Sequence, residues 1–71
     1  MIVYTLPNCT ACDYTKRKLD KMGAKYEVRE FDDEAMALAR EKGYSSAPLV
    51  VLGDVSWGGL RVNLIEQYAV V

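Results

Sequence analysis

With 71 residues, the chain has room for one domain, residues 1–71, and a modest core. Apolar residues make up 51% of it, enough for an ordinary globular fold without a disulfide staple. The net charge of −1 gives no overall pull toward nucleic acid or an anionic membrane, and no apolar run approaches membrane-spanning length.

Met1 to Thr5 is a β-branched and aromatic run suited to a buried parallel strand, and no basic segment followed by an apolar one precedes it, so the expected location is the cytosol. Leu6-Pro7-Asn8 breaks that strand. A helix is predicted from about Thr10 to Met22, with Ala11, Thr15, Leu19 and Met22 along one face and Gly23 as its stop. Tyr26 to Phe31 reads as a second strand, alternating Tyr26, Val28 and Glu30 against Glu27, Arg29 and Phe31. Asp32 or Asp33 can cap a helix over about Glu34 to Lys42, which Gly43 ends. Leu49 to Leu52 is an apolar run too short for a helix, and Gly53-Asp54 turns it back through Val55 to Trp57 as a fourth strand. Gly58-Gly59 breaks that strand, and Asn63 followed by Glu66 has the form of a capping box opening a last helix with Leu64, Ile65 and Tyr68. The order β-α-β-α-β-β-α predicts an α/β fold: a right-handed parallel crossover, then an antiparallel hairpin, with helices on both faces of a four-stranded mixed sheet.

Both cysteines of the chain, which has no histidine, lie in Cys9-Thr10-Ala11-Cys12, where the first strand gives way to the first helix. Two thiols at that spacing share one helical turn and can close a small disulfide ring. The unpaired N–H groups and positive dipole end of a helix N-terminus favour a thiolate, the species that attacks disulfides. A zinc ion needs about four ligands, more than this pair supplies alone. A structural disulfide across so short a loop would stabilise little. Inert buried thiols and an iron–sulfur cluster shared between two chains are the competing readings, and in the cytosol a lone pair is more often catalytic than structural. Cys9, at or just before the first turn, is the expected nucleophile, with a pKa below that of a free cysteine; Cys12, one turn inside, is the expected resolving thiol. Neither a histidine nor an acid on the first strand can act as base, so activation rests on helix-end N–H groups, thiol–thiolate pairing and solvent. Lys16, Arg17, Lys18, Lys21 and Lys25 form a basic stretch that either steers an acidic partner tail or is a solvated helix surface, and the acidic set Glu27, Glu30, Asp32, Asp33 and Glu34 follows it.

Two further segments carry a resemblance. Ser46-Ala47-Pro48 stands just before the third strand, and Trp57-Gly58-Gly59-Leu60-Arg61-Val62-Asn63 follows the fourth. With the Tyr4-Thr5-x-Pro7-x-Cys9 opening they make the chain similar to thioredoxins and glutaredoxins, and the second segment resembles the Trp-Ser-Gly-Phe-Arg-Pro-acid signature of the NrdH-type redoxins. Trp57, Gly59 and Arg61 match that signature outright, Leu60 replaces Phe and Asn63 the acid, while Gly58 and Val62 depart from it. The resemblance implies a minimal thioredoxin-like fold with a cis Pro48 packed beside the dithiol and the Ala47 backbone paired with substrate, Thr10 and Ala11 lying between the cysteines at the same surface. For Trp57 and Leu60 it leaves two roles, an apolar rim that receives a reductase tail or, for Trp57, closure of the core; Arg61 either pins the loop or faces solvent.

In function, the resemblance implies a monomeric protein-disulfide reductant without a resident cofactor. It would donate electrons to class Ib ribonucleotide reductase and be reduced by an NADPH-driven, flavin-dependent thioredoxin reductase. Departures bear on the alternative, a glutathione-dependent glutaredoxin. Leu6 stands where a lysine is usual ahead of Pro7, Thr10-Ala11 replaces Pro-Tyr, and Leu60-Arg61 follows Gly58-Gly59 where an acidic residue would grip glutathione. From a different class, a non-catalytic module holding a peptide in the Ala47-Pro48 groove would be marked by a missing thiol, and both thiols are present.

Overall fold

The opening β-branched run forms β1 (Ile2–Thr5), an inner strand of the sheet in the computed structural model, which describes residues 1–69. It is followed by α1 (Thr10–Lys21), β2 (Glu27–Glu30), α2 (Asp33–Lys42), the hairpin β3 (Leu49–Leu52) and β4 (Val55–Gly58), and α3 (Val62–Tyr68). The sheet runs β2-β1-β3-β4, with β1 parallel to β2 and the other two pairings antiparallel. This is the expected thioredoxin-like arrangement. Among the described residues, no helix is long and apolar enough to cross a membrane.

On one face α1 and α3 close over the sheet. Leu19 of α1 and Ile65 of α3 meet Val3, Val50, Trp57 and Ala69 in one buried cluster. Each fully buried aliphatic side chain there stabilises the fold by about 1.5–3 kcal/mol. Of the predicted stripe Thr15 and Leu19 are buried and Met22 packs half-buried against the cluster, while Cys12 joins the inward line and Ala11 lies half-buried at its margin. On the opposite face α2 works alone, packing Ala35 on Tyr4 and Leu49 with Phe31, Leu38 and Tyr44 around them.

Helix ends follow local chemistry where a side chain can reach the backbone. Asp32 caps α2, its Oδ1 accepting from the Ala35 N–H at 2.8 Å, and Gly43 ends that helix at φ 76°, the left-handed region that a Cβ disfavours. Gly53 has φ 60°, the sign a two-residue type II′ hairpin needs at its first turn position. The predicted capping box is not formed. The Arg61 carbonyl accepts from Leu64 and Ile65, so α3 starts at Val62 without a side-chain cap and Asn63 lies inside its first turn.

β2 corrects a second expectation. All four of its residues are exposed, Val28 at 47%, because it is an edge strand and its alternation meets no covering layer. Its flanks do the packing: Tyr26 turns to the α1–α3 face and Phe31 to the α2 face. The Tyr26 hydroxyl donates to Asp20 Oδ1 of α1 at 2.7 Å. Desolvation first, then the hydrogen bond and charge of Asp20, push its pKa up to about 12.

Candidate active site

The dithiol sits at a junction set by three consecutive backbone conformations. Asn8 adopts φ 58°, which an asparagine tolerates better than most residues, and Cys9 follows in extended geometry as the N-cap of α1. Thr10 then begins the helix. This turn points the Cys9 sulfur back across the helix end, where the Cys12 N–H donates to it at 3.0 Å. The two cysteines are joined as a disulfide with Cα atoms 5.2 Å apart. Cys9 is half-buried and Cys12 is 1% exposed, so an incoming thiolate meets Cys9 first. Thr10 is exposed and Ala11 half-buried at the same end of the helix. Asp13, in the first turn, pairs with Lys16 at 3.5 Å on the solvent side.

The chemistry follows from that asymmetry. A Cys9 thiolate would lie where the Cys12 N–H and the helix dipole stabilise negative charge, and its attack on a disulfide forms a mixed disulfide. Cys12, held one turn away, can reach the Cys9 sulfur to complete the exchange. Among the described residues, no group of three or more Cys, Asp or Glu side chains gathers to hold a metal ion.

The structure brings the proline and glycine segments together. The Ala47–Pro48 peptide is cis, Pro48 is buried, and its carbonyl accepts from the Gly59 N–H at 2.9 Å. Gly59 has φ 79°, and a Cβ on Gly58 would fall 2.5 Å from the Tyr44 Cβ, so the two backbones approach where no side chain fits. The Tyr44 hydroxyl donates to the Ser56 carbonyl at 2.9 Å and ties the same segments again. Trp57 is not at the surface. The residue is 2% exposed and its ring stacks on Tyr68 at 6.1 Å, because β4 turns it into the α1–α3 core and not to an exposed rim. Leu60, 42% exposed, Arg61 and Asn63 are the residues of that segment that face solvent.

A groove of about 340 Å³ opens beside Ala47, walled by Leu6, Phe31, Met36, Arg40 and Tyr44. Leu6 connects it to the dithiol loop, three residues before Cys9. Sequence reading did not find the wall from α2. Met36 and Arg40 are one turn apart, a stripe separate from the inward Ala35 and Leu38, and the exposed methionine was its signal. Trp57, Gly59, Leu60 and Arg61 are not in this wall.

Residues 1–57 match the family model described as Glutaredoxin. The chain is 34% identical over 67 residues to the glutaredoxin-like protein NrdH of Salmonella typhimurium and equally to that of Escherichia coli K12, covering 92% of this chain and 83% of each relative. A glutaredoxin of Ricinus communis is 35% identical over 65 residues, 83% of this chain and 64% of that one. The solved structure of NrdH-redoxin from Escherichia coli, described for its thioredoxin-like activity profile, superposes with a TM-score of 0.84 at 33% identity over 94% of this chain and 91% of that one. Matched over most of its length in sequence and backbone, and carrying the Cys-x-x-Cys pair at the head of α1, the chain belongs to the glutaredoxin family of thiol–disulfide oxidoreductases, on its NrdH-like branch.

Proposed function

We propose that this redoxin is a cytoplasmic electron donor to class Ib ribonucleotide reductase and is itself reduced by thioredoxin reductase. The observation that carries the reading is the disulfide with one accessible and one buried sulfur, set beside a groove whose wall is mainly apolar. Such a wall suits the extended tail of a protein better than glutathione, a small ligand with two carboxylates and an ammonium group. Leu6 removes one cation from the groove, and the one charged side chain in its wall is Arg40. The thioredoxin-like activity profile described for the Escherichia coli relative supports the same choice of reductant.

In the forward step the Cys9 thiolate attacks the partner disulfide and releases one partner thiol. Cys12 then attacks the Cys9 sulfur, releases the second, and leaves the Cys9–Cys12 disulfide for the reductase to reopen. NADPH consumption decides between the two reductants: turnover with thioredoxin reductase is expected, and turnover only with glutathione and its reductase would overturn the proposal. A Cys12→Ser variant should trap the large subunit of ribonucleotide reductase as a mixed disulfide, and Cys9→Ser should bring reductase activity to background.

A further inference from the structure

The sulfur that receives no help from the helix end is Cys12. The Cys12 N–H serves Cys9, whereas the Cys12 side chain is 1% exposed and faces the interior. Each time the disulfide is opened by attack at Cys9, the Cys12 sulfur departs as an anion, and each time the mixed disulfide is resolved it must become an anion again. A buried anion without a hydrogen-bond donor is strongly disfavoured.

One donor stands ready. Thr15 lies three residues after Cys12, on the same inward line of α1, and is 0% exposed. Its Oγ1 has no hydrogen-bond partner in the disulfide form; among the described residues only Trp57 Nε1 is likewise buried and unpartnered. The Trp57 ring is stacked against Tyr68 of α3, whereas Thr15 shares Cys12's own helical face, where side chains three apart are neighbours. Among the described residues, the other side chains of this buried cluster are apolar apart from the Trp57 indole N–H, which belongs to β4 and not to the helical face of Cys12. β1 and β3 contribute Val3 and Val50, β4 the indole, and α3 Ile65. The charges of α1 nearby are engaged outside, Asp13 with Lys16 and Lys18 with Glu66 at 3.1 Å.

We propose that Thr15 is a positioning residue for the resolving sulfur: its orphaned hydroxyl donates to the Cys12 thiolate whenever the disulfide is open. It moves no proton of its own. In resolution, Cys12–SH and the mixed disulfide Cys9–S–S–R become the Cys9–Cys12 disulfide and R–SH, and the Cys12 proton ends on the departing thiolate R–S⁻. The hydroxyl lowers the energy of the intermediate Cys12 anion in both directions of the cycle. A small buried polar group, read as a neutral part of the helix face from sequence, thereby becomes the counterpart for Cys12 of the backbone N–H that serves Cys9.

The inference rests on Cys9 as the attacking sulfur and Cys12 as the resolving one. Reduced protein mixed with a chromogenic nitrobenzoate disulfide should release the dye in two phases, attack by Cys9 and then resolution by Cys12. Thr15→Val keeps the shape and removes the hydroxyl; Thr15→Ser restores it. In Thr15→Val the first phase should be unchanged, while the pH midpoint of the second rises by about one unit. The second phase should slow about threefold at neutral pH, because a more basic thiolate regains part of the loss in nucleophilicity. Thr15→Ser should return both values toward the parent. A second phase in Thr15→Val that tracks the parent at every pH overturns the proposal. If Thr15→Val fails to fold, Thr15→Ser against Thr15→Ala decides in the same way. Loss of the fast phase in every Thr15 variant but not in Cys9→Ser would instead overturn the assignment of the two cysteines.

Discussion

On the α1–α3 side of the sheet, Val3, Leu19, Val50 and Ile65 are all 0% exposed, and the reacting pair is mounted on the helix that covers them. On the α2 side, Ile2, Phe31 and Val51 are only partly covered, Met36 is 50% exposed, and the groove lies open. One helix cannot cover a four-stranded sheet that two helices cover on the other face. The closed face fixes the geometry of the sulfurs, which exchange through a short in-line attack. The open face is left with apolar surface that a partner's chain can bury. The difference in cover between the two faces thus follows the unequal number of helices on each side.

Truncation on the two faces gives the sharpest test. Leu19→Ala should cost about 2–5 kcal/mol, a large share of the stability of a domain this small, whereas Leu38→Ala on the half-covered face should cost about 1–2 kcal/mol. Urea unfolding midpoints measure both, and equal losses would break the comparison. Next in size, Gly58→Ala must displace Tyr44, since its Cβ would lie 2.5 Å from that residue's Cβ and 3.3 Å from the Ser46 carbonyl oxygen. The expected loss is about 1–3 kcal/mol, with reduced turnover because Tyr44 also walls the groove. A fully stable and active Gly58→Ala protein would show that the α2 side tolerates repacking beyond what its contacts allow.

The smallest effect belongs to Tyr26, where β2 is fastened to α1. Its folded pKa of about 12 stands above the ordinary 10.0, so its contribution is complete below about pH 10 and is lost as pH rises through 12. Tyrosinate absorbance should show one phenol titrating late. Asp20→Asn should bring that midpoint back toward 10.0 and flatten the alkaline fall in stability.

What the sequence made legible was whatever local chemistry decides. The Cys9–Cys12 spacing, Asp32 and Gly43 at the ends of α2, and the turn at Gly53 each depend on residues within a few positions of one another. The parallel β1–β2 crossover and the β3–β4 hairpin followed from the order of element types, whereas the place of β3 beside β1 did not. Contacts between distant segments were not legible. Nothing near Gly58 says that Tyr44 will lie against it, and nothing near Met36 says that Leu6 will complete a groove with it. The Asn63–Glu66 pattern failed because local capping chemistry yielded to the Arg61 carbonyl, whose two bonds start α3 earlier. Trp57 was readable as either core or rim, and the register opposite Val50 decided for the core.

The free margin of β2 has a consequence for a protein that spends its life meeting others. Its four residues, Glu27, Val28, Arg29 and Glu30, are all exposed, with Glu27 and Arg29 ion-paired at 2.6 Å. Another chain that tried to zip onto this border would have to strip water from three charged groups for a single valine in return. The border is thereby guarded against edge-to-edge pairing, so that the molecule can collide often without sticking sideways.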